Sequence, residues 1–260
     1  MSETINNRDT TTSETSPLLE VCCGDIASVH AAIAGGARRI ELCSALSEGG
    51  VTPSAGLIAR AVGSGIQTVH VLIRPRGGDF LYDEDEISIM ETDIRQAVSA
   101  GAHGVVIGAL TTDGAIDTTA CRRLIKAAEG RSVTFHRAFD LCRDPYKALE
   151  DIIALGCDRI LTSGLAPSAL EGAETLRKLN RQADGRIIIL AGGGVTPKNA
   201  REILSASGVT ELHASAKTTV GSGMHFRRDA VSMGVPDRDE YSRQVTDAGI
   251  VAEIIKVISE

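Results

Sequence analysis

Short apolar runs alternate with amphipathic stretches along most of the chain. Four of the runs follow a glycine at the end of a helix-like stretch, in segments 36–40, 101–105, 156–160 and 208–212. Four more lie before or between them, at 18–22, 67–74, 132–136 and 186–190. Amphipathic stretches occupy 25–34, 54–62, 87–99, 118–128, 145–154, 169–179 and 197–206. The pattern therefore predicts eight strands that alternate with helices.

This alternation predicts one α/β domain, a TIM-type (β/α)8 barrel over residues 17–260. The four glycine segments are spaced 65, 55 and 52 residues apart, which corresponds to about two βα units each. A doubly wound open sheet is the alternative, because hydrophobic periodicity does not show whether a sheet closes. Residues 1–16 are rich in Thr, Ser, Asn and Glu and have no apolar core, so we expect a disordered polar tail there.

The amino-acid composition argues against several classes of function. The 260 residues carry a formal net charge of −7, and only 3% of them are aromatic. Proteins that bind nucleic acid usually present a basic face, so we expect no nucleic-acid partner. No apolar run approaches the roughly 18–20 residues that span a bilayer, so we expect no membrane partner either. The six cysteines are scattered, and the first residues have no apolar signal-peptide core, which together predict a cytoplasmic protein.

Reactive side chains occur near the ends of several predicted strands, and long loops follow at 43–52, 75–85 and 215–237. Loops after strands form the active face of a (β/α)8 barrel. Alternate residues of a strand face the same side. One parity on five strands carries Glu20 and Cys22, Glu41 and Cys43, His70 and Arg74, Thr134 and His136, and Glu211 and His213. We expect these groups to converge at the mouth of the barrel; polar packing inside the barrel is the alternative.

The two thiols of this set, Cys22 and Cys43, end neighbouring predicted strands. Neighbouring strands lie about 4.8 Å apart, which is close enough for two thiolates to share a metal ion. Two soft thiolates without further cysteine or histidine pairs favour Cu(I) over zinc. The alternative is that both cysteines are small buried apolar side chains.

A second candidate site is a pocket for an anion or small substrate. Three glycines follow the seventh predicted strand and precede a helix, for which Thr196 is the predicted N-cap and Pro197 the first residue. Glycine-rich backbone at a helix N-terminus binds anions well. The predicted members of this pocket are Glu20, Arg74, Arg76, Asp140, Gly192, Gly193 and Gly194. Candidates for proton transfer are Glu41, His136 and His213, although no motif assigns a reaction class.

Several segments, taken in order along the chain, resemble the CutC copper homeostasis family. They are residues 19–22, 39–43, 49–53, 73–79, 135–140, 161–164, 192–194 and 211–213, and the resemblance covers about residues 18–226. It implies a TIM-type barrel, a cytoplasmic protein and a role in copper handling, with the Cu(I) thiolates of the family at Cys22 and Cys43. Cys23 directly follows Cys22, so the choice of the inward-facing thiol depends on strand parity.

Three hypotheses follow from these observations. The first is a cytosolic copper homeostasis protein that binds Cu(I) in a TIM-type barrel. The alternative is an enzyme that acts on a small anionic or phosphorylated metabolite at the mouth of the barrel. The expected partner is accordingly a copper ion or a small anionic molecule. A homo-oligomeric, non-catalytic scaffold is the third possibility.

Overall fold

The computed structural model describes residues 16–228, 230–231, 233 and 239–260. Eight parallel strands in this part of the chain form a closed barrel in sequence order. They are β1 (Leu18–Cys23), β2 (Arg39–Leu42), β3 (Thr68–Leu72), β4 (Gly104–Ile107), β5 (Ser132–Phe135), β6 (Arg159–Thr162), β7 (Ile188–Gly192) and β8 (Glu211–Ala214). The sheet closes where β8 pairs with β1, which confirms the predicted TIM-type barrel over the open sheet. The predicted polar tail, except Ser16, lies outside the described residues.

Helices cover the outside of the barrel. They are α1 (Ile26–Ala34), α2 (Ala55–Val62), α3 (Glu84–Ser99), α4 (Thr118–Ala127), α5 (Pro145–Leu155), α6 (Ala173–Ala183), α7 (Ala200–Ser207) and α8 (Ala248–Ser259). Each of the first seven overlaps a predicted stretch, whereas α8 was not predicted. Among the described residues, no helix is both long and apolar enough to cross a membrane.

Local hydrogen bonds explain where two helices begin. Helix α3 starts before the predicted residue 87, because Asp83 and Glu86 form a reciprocal capping box at its first turn. Helix α7 starts at Ala200, after the predicted Pro197. The Asn199 side chain accepts a hydrogen bond from the backbone N–H of Thr196, so residues 196–199 form a turn ahead of the helix. The prediction of Thr196 as N-cap was therefore wrong.

The chain after β8 leaves the barrel and returns as a two-stranded antiparallel ribbon. Its strands are β9 (Lys217–Gly221) and β10 (Ser242–Thr246). Thr246 N donates to Ser28 Oγ at 3.1 Å, and Arg243 pairs with Asp25, which fixes β10 against α1 and its N-cap. Part of the predicted loop 215–237 is thus a strand.

Apolar side chains fill the layer between the strands and the helices, whereas the inside of the barrel is largely polar. Cys23, Ile40, Val69 and Val105 are among the fully buried residues of the apolar layer. Side chains of the opposite parity face inward and include several buried acids, histidines and arginines. Side chains alternate along a strand, so the same short strands supply both the apolar layer and the polar interior.

Candidate metal centre

Two buried thiols lie at the carboxyl ends of β1 and β2. Cys22 is opposite Glu41 in the strand register, and Cys43 directly follows β2. The two Sγ atoms are 3.6 Å apart. Cys23 faces the other way and belongs to the apolar layer between barrel and helices. The inward orientation of Cys22 therefore agrees with strand parity.

A carboxylate and an imidazole stand beside the thiols. Cys22 Sγ donates to Glu41 Oε2 at 3.3 Å, and His213 Nε2 lies 3.6 Å from the same oxygen. One potential ligand atom from each of Cys22, Glu41 and His213 lies within 4.8 Å of the other two. Sulfur, nitrogen and oxygen donors are thus close enough together to hold one metal ion with modest movement.

Glu20 organises the space beneath this cluster. Its carboxylate accepts a hydrogen bond from Arg39 Nε at 2.6 Å and lies 2.9 Å from His213 Nδ1. His70 Nδ1 lies 3.3 Å from it, without the alignment of a good hydrogen bond. Burial opposes the charged form, but the contacts to His213, His70 and Arg39 hold the pKa of Glu20 well below its usual value. Glu20 is therefore a buried anion that fixes the His213 ring.

A chain of ion pairs continues from Glu20 toward the opposite end of the barrel. Arg39 also pairs with Glu211, whose carboxylate accepts from Arg159 Nε at 3.0 Å. Arg159 Nη1 in turn donates to Ser132 Oγ at 3.0 Å. Arg39 and Arg159 were not among the predicted site residues, and Glu211, which was expected at the mouth of the barrel, begins β8 at the opposite end. Strand parity was the available signal, since Arg39 shares parity with Glu41 and Glu211 with His213.

The thiol of Cys22 is held protonated. Its hydrogen bond with Cys43, together with burial and the negative charge of Glu41, raises the pKa of Cys22 well above its usual value. Burial also raises the pKa of Glu41. Because thiolates are the metal-binding form of cysteine, metal binding here has to release protons.

We expect the stability of the protein to decrease as the pH rises above about 6.5, the ordinary pKa of histidine. Burial lowers the pKa of His213, but the negative charges of Glu41 and Glu20 and the hydrogen bond to Glu20 outweigh it and raise that pKa. A raised pKa in the folded chain gives stability that is complete below the unfolded pKa and is lost as the pH rises through the folded one. Urea unfolding midpoints across this pH range should fall less in His213→Asn than in the wild type; equal falls would contradict the prediction.

The two arginines of the predicted anion pocket hold loops. Arg74 donates from Nη1 to the carbonyls of Glu48 and Gly50, at 2.7 and 2.9 Å, and from Nη2 to that of Gly78 at 2.7 Å. Arg76 donates from Nε to Glu86 Oε1 at 2.5 Å, which joins the loop after β3 to α3. Several N–H donors of both arginines are therefore already bonded to groups of the protein itself.

Other predicted pocket residues lie around the loops after β5, β6 and β7. Asp140 accepts from Thr162 Oγ1 at 2.5 Å and from Arg137 Nε at 2.7 Å. Gly193 lies beside the same Arg137, because a β-carbon on Gly193 would be 3.6 Å from the guanidinium. Gly192 instead packs against His213. Glu20 belongs to the thiol side, so the predicted pocket residues are divided among separate environments, and an anion pocket remains a prediction.

Fold and site together define an α/β-barrel protein with a buried cluster of soft and borderline metal donors at the carboxyl ends of its strands. Sequence comparison gives the family. The sequence model of the CutC family matches residues 17–218. This chain belongs to the CutC family.

The individual relatives agree. A Chromobacterium violaceum protein described as family protein CutC is 49% identical over 243 residues, covering 94% of this chain and 98% of the relative. The Homo sapiens copper homeostasis protein cutC homolog is 51% identical over 232 residues, covering 88% of this chain and 85% of the relative. The crystal structure of a CutC protein from Streptococcus agalactiae is 36% identical, has a TM-score of 0.74, and covers 76% of this chain and 98% of that one.

Proposed function

We propose that this member of the copper homeostasis family binds one Cu(I) ion between Cys22 and Cys43 in the cytoplasm. The observation that carries the proposal is the pair of buried, unoxidised thiols whose Sγ atoms are 3.6 Å apart. Thiolate sulfur is the donor that Cu(I) prefers among protein groups, and no disulfide occupies either cysteine. All six cysteines are free, which suits a reducing compartment.

The sulfur separation favours a coordination that includes a third donor. If the metal–sulfur bonds are about 2.3 Å long, a linear site needs sulfurs roughly 4.5 Å apart, and a trigonal site needs them about 4 Å apart. The observed 3.6 Å is closer to the trigonal value. His213 has an imidazole nitrogen within 4.8 Å of the Cys22 sulfur, whereas Cys43 lies outside that cluster and has to approach it when the metal binds. We infer a three-coordinate site of Cys22, Cys43 and His213.

In this proposal Glu41 is the acceptor of the Cys22 thiol proton. Its carboxylate accepts the hydrogen bond of the Cys22 thiol, and its pKa is raised by burial. A carboxylate in this position can take up the thiol proton when the metal binds. Glu20, held by Arg39, keeps the His213 ring oriented through Nδ1 and leaves Nε2 toward the metal.

An anaerobic Cu(I) titration against a competing chelator tests the proposal. We expect the wild type to bind one equivalent, and Cys22→Ser and Cys43→Ser each to weaken binding by more than about 100-fold. Changes outside the ligand set typically cost about 10–100-fold, so a larger loss identifies a ligand. Cys142→Ser is the matched control, since this cysteine is also buried and free but follows β5.

The same titration can reject the site. Binding that is weak in the wild type, or that survives both substitutions unchanged, would exclude a two-thiolate centre. His213→Asn distinguishes the two geometries. A linear site should lose little Cu(I) affinity in this variant, whereas a trigonal site should lose as much affinity as it does when a cysteine ligand is replaced. Fractionation of cells that produce the full chain tests the cytoplasmic location separately.

A further inference from the structure

The polar interior of the barrel has one sector whose hydrogen-bonding groups lack partners. Among the described residues, five buried side-chain nitrogen or oxygen atoms have no well-aligned hydrogen bond: His70 Nδ1, Arg74 Nε, Tyr82 Oη, Thr134 Oγ1 and His136 Nε2. Of these, His70 Nδ1 still lies 3.3 Å from Glu20 Oε2, and Tyr82 interacts with Arg74. All five lie on β3, on β5 or in the segments directly after these strands. Buried polar groups in proteins are almost always paired, so such a concentration needs a specific explanation. The side around β1, β2 and β8, by contrast, is densely ion-paired.

Strand β4 and the residue directly after it leave room for two of these side chains. A β-carbon on Gly104 would lie 2.6 Å from the His70 ring, and one on Gly108 would lie 2.5 Å from the His136 ring. Side chains larger than hydrogen at these two positions would therefore displace both imidazoles. Gly104 begins β4 and Gly108 follows its last residue, so each glycine makes room for one of the two rings.

His136 presents a hydrogen-bond donor to this sector. Its Nδ1 accepts the backbone N–H of Ala138 at 3.2 Å, so in the neutral ring the proton is on Nε2. Burial and the nearby positive charge of Arg74 lower the pKa of His136 to about 3, which keeps the ring neutral. The Nε2–H is buried and has no acceptor among the described residues. A neutral imidazole of this kind stabilises an oxygen atom that carries negative charge.

Arg74 supplies the second donor and the positive charge. Its Nη atoms are fixed by loop carbonyls, which holds the guanidinium in place, and Nε–H has no well-aligned acceptor within the described ranges. The guanidinium lies 4.9 Å from the centre of the Phe80 ring, and the same ring lies 4.9 Å from the centre of the His136 ring. Thr134 precedes His136 by two residues on the same face of β5 and adds a hydroxyl.

We propose that Arg74, Thr134 and His136 form a binding site for the carboxylate group of a small ligand. Two fixed N–H donors and a hydroxyl call for a ligand with oxygen acceptors, and the uncompensated guanidinium beside them favours an anion. The three residues are each at most 6% exposed, so a group bound to them would be shielded from water. The site shares no residue with the thiol centre and does not depend on copper binding.

The proposal predicts opposite effects on stability and binding. Thr134→Val removes a buried hydroxyl that has no partner, so it should raise the urea unfolding midpoint of the ligand-free protein. The same change should weaken carboxylate binding by about tenfold. Thr246→Val is the matched control: Thr246 is equally buried, but its hydroxyl donates to the carbonyl of Ser215 at 3.2 Å, so the midpoint should fall.

Binding is measured by long-range 1H–15N NMR of the histidine rings, with formate, acetate and oxalate as probes and chloride to hold the ionic strength. We expect a saturable shift of the His136 Nε2 resonance with at least one probe. His136→Asn retains an acceptor for Ala138 N–H, but its shorter amide carries no donor at the position of Nε2. Binding is followed in both proteins by the shift of the Ala138 backbone amide, and the saturable shift should disappear in this variant while the protein stays folded. No saturable shift with any probe would overturn the proposal, as would a Thr134→Val midpoint that falls like that of Thr246→Val.

Discussion

Replacing Glu20 by glutamine is expected to lower the free energy of unfolding by about 3–5 kcal/mol, the range seen when one partner of a buried ion pair is removed. Glu20 is 1% exposed and lies against the buried guanidinium of Arg39 and against His213, whose pKa it helps to raise. Glutamine keeps the shape of the side chain but removes one of the two acids beside each base, since Arg39 also pairs with Glu211 and His213 lies 3.6 Å from Glu41. The loss should be measured by urea denaturation near neutral pH.

The matched control is Glu150→Gln. Glu150 also pairs with an arginine, Arg186, at 2.8 Å, but both side chains are more than 40% exposed. Exposed pairs contribute about 0–1 kcal/mol, so this variant should remain close to the wild type. Similar losses of unfolding free energy in the two variants would show that the buried ion pairs of Glu20 contribute no more to stability than an exposed pair.

The Glu20 variant should also change the acid side of the stability profile. The pKa of Glu20 is held low in the folded chain. Its contribution is therefore present above the ordinary carboxyl pKa of about 4.3 and is lost as the pH falls through the folded value. Wild type and Glu20→Gln should converge in stability as the solution becomes strongly acidic. A gap that stays constant down to acid unfolding would contradict this explanation.

Replacing Gly172 by alanine is expected to destabilise the fold by about 3 kcal/mol, the upper end of the usual range for overpacking. A β-carbon on Gly172 would overlap the backbone carbonyl of Ser163 and lie 3.0 Å from the Cα of Gly164. Neither contact is to the end of a flexible side chain, so the backbone itself has to move. Thermal or urea unfolding measures the loss.

The loop after β6 should report the same displacement. Ser163 Oγ accepts a hydrogen bond from Arg137 Nη2 at 3.0 Å, and the backbone N–H of Ser163 donates to the Asp140 carboxylate. Gly56→Ala is the control, because its nearest neighbour would be 4.0 Å away and alanine favours the helix α2 in which it lies. That variant should be neutral or slightly more stable. A Gly172→Ala protein as stable as the control would show that the loop accommodates the methyl group.

Most of the fold could be predicted from local pattern. Glycines at helix ends and apolar runs placed eight strands and seven helices, because each feature depends on residues close in the chain. The helix α8 and the ribbon of β9 and β10 were missed. Ala248 to Ser259 is apolar enough for a helix, but its place against α1 and α7 depends on contacts with distant elements.

The candidate site was predicted in part for the same reason. Strand parity correctly predicted that Cys22 faces inward and Cys23 outward, and that Glu41 and His213 lie on the inward face. The ion pairs of Glu20 join residues up to 193 positions apart, and no local signal shows which acid meets which base. Arg74 illustrates the limit: its charge was evident, but its bonds to three loop carbonyls were not.

The sequence by itself determined the class of fold, the shared parity of polar side chains on five strands and the resemblance to the CutC family, since alternation, glycine placement and ordered motifs are properties of the chain. Only the tertiary structure decided which inward groups meet. Closure of the barrel brings β8 beside β1, so that His213 reaches Glu20 and Glu41, and it leaves Thr134 Oγ1 and His136 Nε2 without a hydrogen-bond partner in the described part of the chain. Partner choice inside a barrel depends on strand stagger and side-chain reach, which a linear pattern does not encode.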